Sequence, residues 1–404
     1  MKVNKITDNV YCFNVDIRTT EFFEGIWPIP DGVSLNFYVV KGEKTALIDL
    51  FADWDAASEG IEKAFASIDT GFSEIDYLIL NHIEPDHTGW LMKFREKNPG
   101  VEIISTKKGI DMVKSFYKID TGVRAVKDGE TLDLGNGKIL TFFKIPNVHW
   151  PETMATWDAS SATLFSCDAF GSYGALGEKV FDDQLDEKEH AFFEAESLRY
   201  YSNILASFSA PVERAVQKFA GLEIKCVAPS HGIVWRKDPQ KIIDRYMKYA
   251  SWTKGPAEKK IAVIWGSMYG NTKAGMEAVV RGIEKEGIPY TLHRVPDENV
   301  SYILAAAYRS SGLVIAMPTY ENAVFPPMAY MLDIFRHKHI FGKIALRIGS
   351  AGWGGGAQRE YYAILENLKW DSIDSFEWQG YPTEEEFAVL EERGRELAQR
   401  VKNS

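Results

Sequence analysis

Up to about Ala250, apolar residues come in short runs of high β-propensity. These are Asn9–Val15, Asn36–Val40, Thr45–Leu50, Tyr77–Asn81, Val101–Ser105, Leu140–Ile145, Thr163–Ser166 and Cys226–Ala228. Helical stretches such as Ala56–Ile68 and Trp90–Lys97 interrupt them. Many short strands mixed with a few helices predict a layered α+β or α/β sandwich. The acidic run Asp182–Glu196 reads as a solvated helix face or loop. Ser251–Lys260 is polar, carries Gly255-Pro256 and reads as a linker.

From Ile261 the grammar changes to regular alternation. Strands are expected at Ile261–Trp265, Tyr290–Val295, Leu313–Met317, Lys343–Gly349 and near Ser375–Trp378. Each leads into a helix: Thr272–Glu286, one near Tyr302–Ser310, Pro327–Lys338, Gln358–Leu368, and a last one opening on the capping-box pattern Thr383-x-x-Glu386. Such β–α succession predicts a doubly wound parallel sheet. The expected organisation of this α/β chain is therefore a domain at 1–250, a linker at 251–260 and a second domain at 261–404.

Candidate chemistry concentrates at the strand-to-helix turn Asn81-His82-Ile83-Glu84-Pro85-Asp86-His87-Thr88-Gly89. In extended chain His82 and Glu84 point the same way, because side chains alternate with period two. Pro85 disfavours helix at Glu84, so the following turn can aim Asp86 and His87 elsewhere. One loop can thus serve two neighbouring metal ions. His149, Asp168 and His231 each follow an expected strand, where ligands gather at one sheet edge. The remaining histidines, His190, His293, His337 and His339, read as surface or satisfied core residues.

The order H-x-E-x-D-H, then His, Asp and His, resembles the metallo-β-lactamase fold in the version found in flavodiiron proteins. That fold is an αββα sandwich. In its zinc hydrolases the third motif position is His, whereas here it is Glu84. A carboxylate there makes the site harder and more anionic, which suits non-haem iron better than zinc. The resemblance implies that His82, Glu84, His149 and Asp168 hold one iron. It implies that Asp86, His87, His231 and Asp168 hold the other, with Asp168 bridging and no catalytic residue beyond the ligands.

The second segment opens with a buried strand and then Gly266-Ser-Met-Tyr-Gly-Asn-Thr272. Backbone N–H groups at such a helix start can cradle a phosphate, and Ser267, Asn271 and Thr272 add neutral donors. The loop matches neither a Walker A motif nor G-x-G-x-x-G, so neither ATP nor a dinucleotide is indicated. Ligands of a doubly wound sheet bind outside the carboxyl ends of its strands. There lie Pro318-Thr319-Tyr320-Glu321-Asn322 and Ser350-Ala351-Gly352-Trp353-Gly354-Gly355, with Tyr320 and Trp353 able to flank a flat ring. The segment resembles flavodoxin. That likeness implies FMN with its phosphate on Ser267, Met268, Tyr269, Gly270, Asn271 and Thr272, and its ring between the other two loops.

Composition narrows the class. The formal net charge of -11 argues against a general nucleic-acid partner. The 3 Cys form no C-x-x-C pair, which speaks against a disulfide framework, a zinc ribbon or an iron–sulfur cluster, and for a cytoplasmic setting. The N-terminus lacks the apolar core of a signal peptide, and no run of 18 or more apolar residues implies a membrane span.

The flavodiiron resemblance covers nearly the whole chain. It implies an oxidoreductase in electron transport and oxygen detoxification, reducing O2 to water or NO to N2O. Reduced FMN and a diferrous pair together hold the four electrons that O2 needs. The stretch Trp27–Asn36 and the chain length look most like the methanogen members, which oxidise reduced coenzyme F420 at FMN. An NO or O2/NO reductase fed by rubredoxin is the alternative, and the missing C-x-x-C pairs then make the donor a separate protein. A zinc metallo-β-lactamase-type hydrolase using Asp86 and a metal-bound water fits less well, given Glu84 and the flavodoxin-like segment. A bare electron carrier would leave the ligand set unexplained. The resemblance also implies a homo-oligomer built from head-to-tail dimers, with FMN of one subunit set against the irons of the other.

Overall fold

The computed structural model describes residues 1–404, and its first unit, Met1–Met247, is built on two mixed β-sheets. The first sheet runs in the order β1 (Lys2–Thr7), β2 (Val10–Ile17), β3 (Val33–Lys41), β4 (Thr45–Ile48), β5 (Tyr77–Ile79), β6 (Glu102–Thr106) and β7 (Val123–Val126). The strands β1 to β4 pair antiparallel, and β4 to β7 pair parallel. The second sheet is β8 (Thr131–Asp133), β9 (Ile139–Lys144), β10 (Met154–Asp158), β11 (Thr163–Cys167) and β12 (Cys226–Pro229). Its only parallel pair is β11 with β12.

Parallel neighbours need crossover connections, here helices such as Lys107–Tyr117, whose N-cap Thr106 accepts from the Gly109 N–H. They also bring strand C-termini to one edge. The loops after β5, β9, β11 and β12 leave from such ends, and they carry the candidate metal ligands. Adjacent residues of β3 face opposite ways. Tyr38 meets Phe165 of the second sheet at 5.0 Å, whereas Phe37, Phe51 and Trp90 stack in series at 5.1 and 5.4 Å on the other face of the first sheet. The Tyr38 hydroxyl donates to the Pro229 carbonyl at 2.6 Å, tying the β3 strand to the end of β12.

The expected strands are present, but β1, β7, β8 and β10 were not legible. In β10 all five positions are buried, which erases the alternation that marks a half-buried strand. The helix expected at Ala56–Ile68 is confined to Ile61–Ala66, after a left-handed Gly60 at φ +82°. The acidic run is only partly a solvated face. Asp182 is buried and accepts the backbone N–H groups of Arg236, Lys237 and Asp238, and Glu196 is buried against Arg199.

The second unit, Lys248–Ser404, is a wholly parallel sheet of β13 (Glu258–Trp265), β14 (Tyr290–Arg294), β15 (Ser310–Ala316), β16 (Ile344–Ala351) and β17 (Asp371–Gln379). Its spatial order is β14-β13-β15-β16-β17, so the winding reverses at β13. That switch point opens a crevice beyond the strand ends. On one face the helices Asn271–Glu286 and Glu384–Asn403 lie close together. A Cβ at Gly282 would fall 2.0 Å from the Glu391 carbonyl, and one at Gly394 would fall 2.1 Å from the Val279 carbonyl. The division at 247/248 falls within the helix Pro239–Ser251, and residues 252–257 join that helix to β13 at Glu258. No helix is long and apolar enough to cross a membrane.

Candidate functional site

His82 and Glu84 lie on the loop after β5, and Asp86 and His87 on the single helical turn Pro85–Thr88 that follows. His149 comes from the loop after β9, Asp168 directly from the end of β11, and His231 from the loop after β12. The structure brings all of them into one cleft. Asp168 stands at its centre and divides its two oxygens. Its Oδ2 lies 3.4 Å from His82 Nε2 and 3.3 Å from His149 Nε2, and these imidazoles lie 3.1 and 3.0 Å from Glu84 Oε2. Its Oδ1 lies 3.0 Å from His87 Nε2 and 3.3 Å from His231 Nε2, with Asp86 oxygens 3.4 and 3.1 Å from these two rings.

These short distances hide an oddity. Both oxygens of Asp86 and of Asp168, and Nε2 of His87 and of His231, are buried and have no partner in hydrogen-bonding geometry. The groups point at shared positions between them rather than at each other. Buried polar atoms left unpaired cost about 1–3 kcal/mol each, so a cluster of them calls for a ligand. The donor set is imidazole and carboxylate, which fits divalent or trivalent iron. His82, Glu84, His149 and Asp168 come together as one potential metal-holding group, and Asp86, His87 and His231 as another.

Electrostatics say the same. Burial opposes a charge on every imidazole here, yet the carboxylates override it. Hydrogen bonds that His82 donates to the Glu152 and Glu84 carboxylates raise it to about 10, and Asp168 and Asp86 raise His231 to about 10. His87 and His149 are raised to about 9. Burial likewise works against ionised Glu84, but its contacts with His149 and His82 hold it down at about 2. So anionic a cleft draws positive charge, and metal ions supply it without needing protons on the rings.

Several residues around the cleft escaped the sequence reading. Glu152 is buried and its Oε1 lies 2.6 Å from His82 Nδ1. A carboxylate three residues beyond His149 was the available signal. Ser34 offers its carbonyl to His231 Nδ1 at 2.9 Å, which no side-chain pattern could reveal. Phe23 packs on His231 at 5.4 Å, Trp150 on His82 at 5.0 Å and Phe208 on His149 at 6.2 Å, forming an apolar rim. Tyr200 packs 5.8 Å from His231 with its hydroxyl buried and unpaired. Phe23 belongs to a hairpin, Phe22–Phe23 with Trp27–Pro28, pinned by the Arg199 guanidinium donating to the Pro28 carbonyl at 2.7 Å. Of the other histidines, His293 is buried and satisfied by Glu298 and Thr291, and His337 and His339 are exposed.

In the second unit a cavity of about 380 Å³ opens beyond the ends of β13, β15 and β16. Every residue expected to bind a flavin lines it except Gly270 and Gly355. Gly270 instead takes the left-handed φ of +94° that starts the helix Asn271–Glu286. At Gly355 a Cβ would come 2.0 Å from Glu377 Oε1, so that carboxylate would have to move. Thr272 is buried at the helix start, with its hydroxyl 2.8 Å from that of Ser350, and the Ser267 hydroxyl accepts from the Gly270 N–H at 3.0 Å. No Lys or Arg lines the cavity. Hydroxyls plus a helix N-terminus fit a phosphate held without a cation. At the rim Tyr320 is 41% exposed, while Tyr269 and Trp353 stand out at 90% and 88%.

Comparison with known proteins agrees with this anatomy. Residues 33–232 match the model of the ODP family beta lactamase. An anaerobic nitric oxide reductase flavorubredoxin of Vibrio vulnificus is 33% identical over 388 residues, covering 95% of this chain and 76% of that protein. Among solved structures, rubredoxin oxygen:oxidoreductase of Desulfovibrio gigas superposes with a TM-score of 0.93 at 25% identity, covering 100% of this chain and 99% of that one. A flavo di-iron protein of Thermotoga maritima gives 0.90 at 29% identity, with 99% of each chain covered. The fold is a metallo-β-lactamase-like unit followed by a flavodoxin-like parallel sheet. The chain belongs to the flavodiiron protein family.

Proposed function

We propose that the chain is a flavodiiron gas reductase that holds two irons in the cleft of the first unit and FMN in the cavity of the second. The observation that carries this reading is the division of Asp168 between two imidazole–carboxylate groups, with its oxygens unpaired. In it, His82, Glu84 and His149 hold one iron, Asp86, His87 and His231 the other, and Asp168 bridges. When bound, the irons supply a reducing Lewis-acidic pair and FMN a two-electron relay from the donor. The protein's own part is to position these groups and to keep water out. Phe23, Trp150 and Phe208 line the cleft with apolar surface. Thr272, Ser267 and the helix start hold the FMN phosphate.

Electron count favours O2 reduced to water, since FMN and the iron pair together deliver four electrons. The activities named for its relatives, nitric oxide reductase and oxygen:oxidoreductase, support NO just as much. For the donor, the Trp27–Asn36 stretch favours reduced coenzyme F420, and the relatives' names favour a rubredoxin-type carrier. Turnover with each donor and each gas in turn decides among the four pairings. Reduced F420 with O2 is expected to be fastest, and turnover confined to a reduced rubredoxin with NO would replace that reading. The proposed location is the cytoplasm.

The proposed assembly is a homo-oligomer of head-to-tail dimers that pass electrons between subunits. Mixing a Thr272→Glu variant with an Asp168→Ala variant is then expected to restore up to about a quarter of wild-type activity, since half the dimers are mixed and each has one working pair. No activity after proven subunit exchange would place the transfer within one chain.

A further inference from the structure

The two halves of the metal cleft are backed differently. His231 presents Nδ1 to a neutral acceptor, the Ser34 carbonyl at 2.9 Å. His82 presents Nδ1 to a carboxylate, Glu152 Oε1 at 2.6 Å, and the same oxygen accepts the Ile83 N–H at 3.1 Å. Glu152 is 1% exposed and its other oxygen is buried without a partner, so its charge is not spent elsewhere. The remaining carboxylate near the cleft, Asp49, accepts the Asn81 N–H at 2.7 Å. It lies within 4.8 Å of the His87 ring, whose Nε2 faces Asp168 at 3.0 Å. A hydrogen-bonded carboxylate behind a ligating imidazole fixes the ring and makes it a stronger donor, and losing such a partner typically weakens metal binding about 10–100-fold.

We infer that Glu152 is a positioning residue that makes the two metal positions unequal, giving the His82–Glu84–His149 position the tighter hold on its ion. This rests on the diiron reading above. Glu152 acts through His82 and touches no reacting atom. Its role has two separable parts, the aim of the ring and the negative charge behind it. Gln at this position keeps an oxygen to accept from His82 Nδ1 and Ile83 N–H, but removes the charge.

The test is anaerobic release of Fe(II) from the loaded protein to a strong chelator, followed with time. In wild type the irons are expected to leave in two phases, the slower from the His82–Glu84–His149 position. In Glu152→Gln one of the two is expected to leave about 10–100-fold faster, with FMN content unchanged. Two irons leaving at wild-type rates from Glu152→Gln would overturn the inference. A second measurement uses the unmutated Glu152 and so does not depend on that variant folding. Metal-free protein titrated with Fe(II) is expected to show one tight and one weaker equivalent. His149→Ala should abolish the tight one and His231→Ala the weaker. Two equal equivalents, or loss of the tight one in His231→Ala, would contradict it. Wild-type protein that takes up no iron would reject the diiron reading itself, a result distinct from either of these.

Discussion

In the cleft of the first unit the converging side chains are all ionisable and almost all buried, whereas the cavity of the second is lined by hydroxyls, amides, glycines and aromatic or apolar side chains, with one carboxylate, Glu321. The cleft concentrates negative charge until only cations can balance it, as the raised imidazoles show. The cavity has no cation and offers fixed dipoles, which suit an anion held without a counter-ion. The first arrangement therefore depends on a few side chains that cannot be replaced singly. The second spreads its hold over backbone, helix terminus and hydroxyls, and leaves its aromatic rim open.

The largest effect is expected where charge is most concentrated. Asp168→Ala leaves His82, His149, His87 and His231 without their common carboxylate. Iron measured on anaerobically prepared protein should fall from about two per chain to nearly none, as the shared ligand set implies, with flavin absorbance intact. A full iron complement in this variant would remove Asp168 from the bridging position.

Thr272→Glu attacks the neutral site by adding a charge. A glutamate is tolerated at a helix start, so the unit should stay folded. FMN affinity should drop at least about 100-fold, from repulsion and loss of a hydrogen bond to a charged group. Iron content should not change. Flavin fluorescence titration reads the affinity, and undiminished binding would place the phosphate elsewhere.

The smallest effect concerns Lys343, a buried cation away from both sites. Its ammonium donates to the Tyr308 and Ser310 carbonyls at 2.7 and 2.8 Å, but burial pulls it down from 10.5 to about 7. Below about 7 both folded and unfolded chains carry this proton, and the burial cost is present in full. Between there and 10.5 the folded chain has released it and the unfolded chain has not. Unfolding then takes up a proton, so stability rises with pH, by at most about 1.4 kcal/mol per unit. Denaturant melts of wild type and Lys343→Met at pH 7 and pH 9 should differ in this slope, with the variant flatter. Equal slopes would mean that Lys343 stays charged throughout.

The same contrast explains what could be read from the chain alone. The seven side chains that gather around Asp168, itself included, were visible, because His82, Glu84, Asp86 and His87 crowd one turn and the other three follow strands. Glu152 and the Ser34 carbonyl were not, since their roles depend on the β3 and β10 neighbourhoods meeting the cleft in space. The flavin loops were legible only through the β–α alternation that places them at the strand ends. Buried β10 and the late start of the helix at Ile61 were missed for a local reason: full burial hides a strand's period, and left-handed Asp55, Ala56 and Gly60 keep the preceding residues out of the helix.

The central claim is that the protein stores four electrons per chain, two on FMN and two on the iron pair, and delivers them to O2. The direct measurement is an anaerobic reductive titration followed by one addition of O2, one equivalent per chain. The account predicts uptake of about four electrons per chain, two with flavin bleaching and two without, and complete reoxidation by one O2 without peroxide. Uptake of only two electrons, or release of peroxide in step with reoxidation, would contradict it.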